Sequence, residues 1–96
     1  MKVIVSYDVS TITPAGRARL RKVARVCKSF GVRVQLSVFE CSVTDRELPV
    51  LRQRVLDAVK IEEDSLRIFY LSEDDARKTE HHGVREPVDP DGLLVV

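Results

Sequence analysis

The chain has 96 residues, 44% of them hydrophobic and 32% charged, with a net charge of +1. That is the size and balance of one globular domain with a single modest core, which excludes a disordered chain. No apolar run approaches the ~20 residues that cross a bilayer, and Lys2 precedes too short a run for a signal peptide, which sets the expectation of a cytoplasmic protein with no membrane partner.

Lys2–Tyr7 reads as the first strand, and its continuous apolar run predicts a central strand covered on both faces. The strand delivers Tyr7 and Asp8 at its C-terminal end. Thr13-Pro14 then marks a helix start, with Thr as N-cap and Pro at the first helical position, where a missing N–H costs nothing. The helix is expected from about Pro14 to Phe30, with Leu20, Val23, Ala24, Cys27 and Phe30 as its buried stripe and Gly31 as its C-cap. Cys27 and Cys41 both lie among apolar residues and read as small buried hydrophobes, with no clustered metal-ligand spacing.

Residues 32–43, VRVQLSVFECSV, alternate apolar and polar. As one strand they would span ~40 Å, so two short strands with a tight turn near Leu36-Ser37 are expected. Thr44-Asp45-Arg46-Glu47 fits a capping box, followed by a second helix whose first turn Pro49 disturbs. Glu62-Glu63-Asp64 reads as an acidic loop, Ser65–Leu71 as a strand, and residues 72–78 as a charged connector. The division is therefore a domain over residues 1–78 and a tail over 79–96 that ends in Leu93-Leu94-Val95-Val96.

The order βαββαβ predicts an α+β, ferredoxin-like fold, an antiparallel sheet with both helices on one face. The opposite face would be exposed and apolar unless something covered it. A second copy is the simplest cover, and the terminal apolar tetrapeptide would add a fifth strand at the partner's sheet edge. A homodimer is therefore expected.

Charge is unevenly placed. Residues 1–40 hold eight Lys or Arg against two acids, and residues 41–96 hold eight against thirteen. No acid lies between Asp8 and Glu40, so the basic run of the first helix has no acidic neighbour at i±4 and suits an anionic partner.

VIVSYDVS, the basic helix with its continuation RARLRKVARVCKSFGVRVQ, SVFEC, and DSLRIFYL with a tail containing EHHG together resemble the CRISPR-associated protein Two family, the partner of the CRISPR integrase in spacer acquisition. The resemblance covers nearly the whole chain. It implies a ferredoxin-like homodimer that works with the integrase, the first CRISPR-associated protein, and acts on duplex DNA or RNA. Two activities are described for the family: a Mg2+- or Mn2+-dependent endonuclease, and a non-catalytic nucleic-acid-binding bridge. Both readings stay open here, as does a small-molecule sensor or RNA-binding module unrelated to CRISPR. Against the RNA-binding form, the five aromatic residues offer no paired stacking positions.

The resemblance makes Asp8 the metal-binding and catalytic candidate. A lone carboxylate is a poor Mg2+ site, but two copies across a twofold axis plus substrate phosphate would suffice; a turn-forming Asx role is the alternative. Tyr7 points opposite to Asp8 by strand alternation and is either a packed aromatic or a phenol that orients substrate. Arg17, Arg19 and Arg33 match basic family positions and are candidate phosphate contacts. Ser37 and Phe39 match the SVF segment and support the site. His81 and His82 read as an exposed pair or as metal or proton-transfer groups.

Overall fold

A computed structural model describes residues 1–84. The elements are β1 (Lys2–Asp8), α1 (Pro14–Lys28), β2 (Gly31–Gln35), β3 (Val38–Ser42), α2 (Glu47–Ala58), β4 (Ser65–Leu71) and a short α3 (Glu73–Arg77). The four strands form one sheet in the order β2-β3-β1-β4, and every neighbouring pair is antiparallel. The expected fifth strand at residues 93–96 lies outside the described residues.

β1 is central, flanked by β3 and β4. It is buried on one face only: Val3, Val5 and Tyr7 are closed to solvent while Lys2, Ile4 and Ser6 are half-buried. Among the described residues the expected cover on both faces is found on one only, because α1 and α2 pack on the same side. Val23 and Cys27 of α1 and Leu51, Val55 and Ala58 of α2 share one core with Val3, Val5, Tyr7, Phe39 and Cys41. The other face carries Ile4, Val38 and the partly exposed Phe69, placed together by the pairings of Ile4 with Phe69 and of Ser6 with Val38.

α1 starts as its sequence dictates. Thr13 Oγ1 accepts the Gly16 N–H at 3.0 Å, and Pro14 opens the helix. The helix ends earlier than expected, at Lys28, with right-handed Ser29 as C-cap. Gly31 is not a cap. It pairs with Cys41 in the sheet, where a Cβ would run into the Glu40 carbonyl and stand 2.6 Å from Cys41 Cα. The β2–β3 turn falls at Leu36-Ser37, as the alternation requires.

The capping box of α2 forms in full: the Glu47 N–H donates to Thr44 Oγ1 and the Thr44 N–H to Glu47 Oε1. Pro49 sits inside the first turns, where it removes one backbone donor, and regular helix is counted only from Glu47. The sequence predicts a connector over residues 72–78, and a short helix forms there instead. Its signal is Ser72, whose Oγ accepts the Asp75 N–H at 3.1 Å, with three acids in the first turn and Arg77 in the last, favourable for the helix dipole.

Candidate functional site

Asp8 is the last residue of the central strand, is exposed, and pairs with Ser65 at the start of β4. Alternation puts it on the face away from the helices, with Ser6. Ser6 pairs with Arg67, so this cation shares the Asp8 face. Reading the sequence missed Arg67. Its signal was the polar alternation of Ser65 and Arg67 against Leu66 and Ile68 in β4. Arg67 is exposed and makes no ion pair among the described residues.

Tyr7 faces the other way. Its ring stacks on Phe39 with centroids 6.3 Å apart, and both are buried. Its hydroxyl has no hydrogen-bond partner among the described residues. Burial raises its pKa, and the nearby Arg33 guanidinium opposes that rise. Arg33 extends over the Phe39 ring, 5.1 Å from its centroid. Tyr7, Phe39 and Arg33 therefore form one stack behind the sheet, and Asp8 stands on its front. Ser37 links the two, because its carbonyl accepts the Tyr7 N–H at 3.1 Å. Ser37 also lines an open cleft of about 570 Å3 between the β2–β3 hairpin and His81, His82 and Val84. His81 Nε2 lies 3.2 Å from the Gly83 carbonyl, and His82 Nε2 lies 3.1 Å from Glu80 Oε1.

The α1 cations divide. Arg17 is exposed and donates to the Thr11 carbonyl at 3.0 Å. Arg21, Lys22, Arg25 and Lys28 are exposed as well. Arg19 is different: it has no acid at i±4, as the sequence shows, but acids from far along the chain neutralise it. Its Nε meets Asp64 Oδ2 at 2.8 Å and its Nη2 meets Glu63 Oε2 at 2.9 Å. These partners are 45 and 44 residues away, beyond any local charge pattern.

Asp64, which receives Arg19, is a buried carboxylate that sequence reasoning missed. Its side chain is fully excluded from solvent. It accepts hydrogen bonds from Arg19, from the Lys60 N–H at 2.8 Å and from the Ser10 N–H at 3.0 Å. The guanidinium, followed by the two backbone donors, holds its carboxyl at a pKa of about 2, against the opposing effect of burial. The signal was indirect: an acidic loop in a chain whose first helix has no acid of its own.

Among the described residues no three His, Cys, Asp or Glu side chains stand together to hold a metal. Asp8 alone supplies one carboxylate, which fits half of a Mg2+ site and calls for a second copy and a phosphate. The thiols offer no ligand: burial pushes Cys27 up to about 12 and Cys41 up to about 11.

The comparisons with known proteins agree with this architecture. A family model described as CRISPR associated protein Cas2 matches residues 1–79. The chain belongs to the Cas2 family. It is 45% identical to the CRISPR-associated endoribonuclease Cas2 of Chlorobaculum tepidum and 48% identical to the CRISPR-associated endoribonuclease Cas2 1 of Moorella thermoacetica, in each case over the whole of both chains. It is also 41% identical to the CRISPR-associated endonuclease Cas2 of Halalkalibacterium halodurans, over 99% of each chain. The crystal structure of Streptococcus pyogenes Cas2 at pH 6.5 superposes with a TM-score of 0.77 at 47% identity, covering 86% of this chain and all of that one. Among the described residues no helix is long and apolar enough to cross a membrane.

Proposed function

We propose that this Cas2 chain is a homodimeric, divalent-metal-dependent endonuclease that hydrolyses phosphodiesters of duplex DNA or RNA in CRISPR spacer acquisition, alongside the integrase. The observation that carries the reading is Asp8, an exposed carboxylate at the end of the central strand on the face opposite α1 and α2. The relatives named endoribonuclease and endonuclease supply the reaction class. The strand order β2-β3-β1-β4 supports the ferredoxin-like reading, and the half-buried Ile4 and Val38 with the exposed Phe69 support a second copy as cover for that face.

In such a dimer each residue near the twofold axis occurs twice. The two Asp8 carboxylates would hold the ion, Mg2+ or Mn2+, with substrate phosphate completing its shell. Bound there, the ion would neutralise charge on the scissile phosphate and lower the pKa of a coordinated water. The chain's own residues do the rest. Arg67 shares the Asp8 face and balances phosphate charge there, while Arg17 and Arg33 give salt-sensitive affinity that reads no sequence. Tyr7 braces the strand from behind through Phe39 and does not reach the reacting atoms.

A Mn2+ titration of the purified protein tests this. About one ion per dimer is expected, and Asp8→Ala abolishes it. Equal Mn2+ binding by the parent and Asp8→Ala refutes the metal role.

The second reading, a non-catalytic bridge that binds duplex together with the integrase, is favoured by one observation: Asp8 belongs to no group of three or more His, Cys, Asp or Glu side chains among the described residues. It keeps the dimer and the basic surface and gives Asp8 a structural place at the axis.

A further inference from the structure

We infer that Asp64 is the positioning residue for Asp8, holding the strand end that presents the carboxylate from behind. This rests on the reading of Asp8 as the reacting centre's ligand. Asp8 is the last paired residue of β1, and its partner is Ser65. Asp64 directly precedes Ser65, and its Oδ1 accepts the N–H of Ser10, two residues beyond Asp8. The carboxylate thus continues the β1–β4 ladder past the point where the strands part. Asp64 is itself fixed from two further directions, by Lys60 N–H in the loop before β4 and by Arg19 from α1.

A second, independent contact grips the same residue. Gly16, buried in the first turn of α1, lies so close to the Ser10 carbonyl that a Cβ there would collide with it. Ser10 is therefore held by its N–H through Asp64 and by its C=O side against Gly16. The loop leaving Asp8 has one path, and a carboxylate that must meet a second copy of itself needs a fixed backbone. Arg19 serves this clamp. Its guanidinium faces Asp64 and Glu63, so the residue acts by positioning and not by phosphate contact.

The test compares the full-length parent with Asp64→Asn, which keeps the size and loses the charge, and with Arg19→Gln, which leaves both backbone donors in place should Asp64→Asn fold poorly. Amide hydrogen exchange is read at Ser10, with Val3 and Val5 as the core reference. Turnover is read on duplex DNA and single-stranded RNA with Mg2+, separating kcat from KM. The expected result is exchange at Ser10 faster by about tenfold in Asp64→Asn with Val3 and Val5 unchanged, and kcat lower by about tenfold at unchanged KM. Arg19→Gln falls between parent and Asp64→Asn in both readouts. Unchanged exchange at Ser10, a rise shared equally by Val3 and Val5, or a freed Ser10 with unchanged kcat each overturns the inference. Asp8→Ala, run in parallel, separates the two claims: full cleavage by that variant overturns the proposed function itself, whereas the exchange data test the hold on Ser10 without reference to cleavage, and kcat tests its effect on Asp8.

Discussion

Acid should weaken this fold through one carboxylate in particular. The Asp64 carboxyl titrates at about 2 in the folded chain, against an ordinary 3.8, chiefly because the Arg19 guanidinium and two backbone N–H groups stabilise its charged form. At 1.36 kcal/mol per pH unit, that difference corresponds to about 2.5 kcal/mol. Glu63, which shares Arg19 with Asp64, is about half exposed, and Arg19 itself touches solvent. Solvent screening therefore brings the figure to about 1–2 kcal/mol. The folded pKa lies below the unfolded one, so this stabilisation is fully present well above pH 4 and is lost as pH falls from there toward 2. Denaturant unfolding of parent and Asp64→Asn at pH 7, 4 and 2.5 isolates it, since every other acid titrates in both proteins. The stability gap between the two should shrink by about 1 kcal/mol between pH 7 and pH 2.5, the remainder being lost only below the folded pKa of about 2. Parallel stability curves across that range refute the reasoning.

Gly31→Ala places a methyl against the β3 backbone at Glu40 and Cys41 and should cost about 1–3 kcal/mol in denaturant unfolding; an unchanged midpoint contradicts the close approach. Phe39→Ala removes the ring that Tyr7 and Arg33 both meet and should cost about 3–5 kcal/mol, against little change if the stack is incidental. Cys27 and Cys41, at about 12 and about 11, should resist a thiol-specific disulfide reagent at pH 8 in the native protein and react on unfolding; rapid native reaction contradicts their burial. Arg17→Ala and Arg33→Ala should each lower the salt slope of duplex binding by about 1, while Arg19→Ala leaves that slope unchanged because its charge is already spent on Asp64 and Glu63. A slope that falls equally for all three returns Arg19 to the phosphate surface.

Local signals carried much of this fold. Thr13-Pro14, the Thr44–Glu47 box and the Leu36-Ser37 break each write their consequence within a few residues, and each forms where the sequence places it. What failed to read locally depends on partners far along the chain. Gly31 has the look of a helix cap, and only the approach of β3 reveals why a side chain cannot stand there. Arg19 has the look of one more cation in a basic run, and its acids arrive from 44 and 45 residues away. β1 has the composition of a doubly covered strand, and among the described residues α1 and α2 cover one of its faces. The site divides in the same way. Alternation alone puts Tyr7 and Asp8 on opposite faces, but Arg67 joins Asp8 only through the register of β1 with β4, which no single stretch of sequence encodes.

The most direct test of the central claim is a cleavage assay on duplex DNA and single-stranded RNA, with highly purified parent and Asp8→Ala, each in Mg2+, Mn2+ or EDTA. The expected result is cleavage by the parent that EDTA stops and Asp8→Ala abolishes. Binding without cleavage, or cleavage that survives Asp8→Ala, contradicts it and leaves the bridging role.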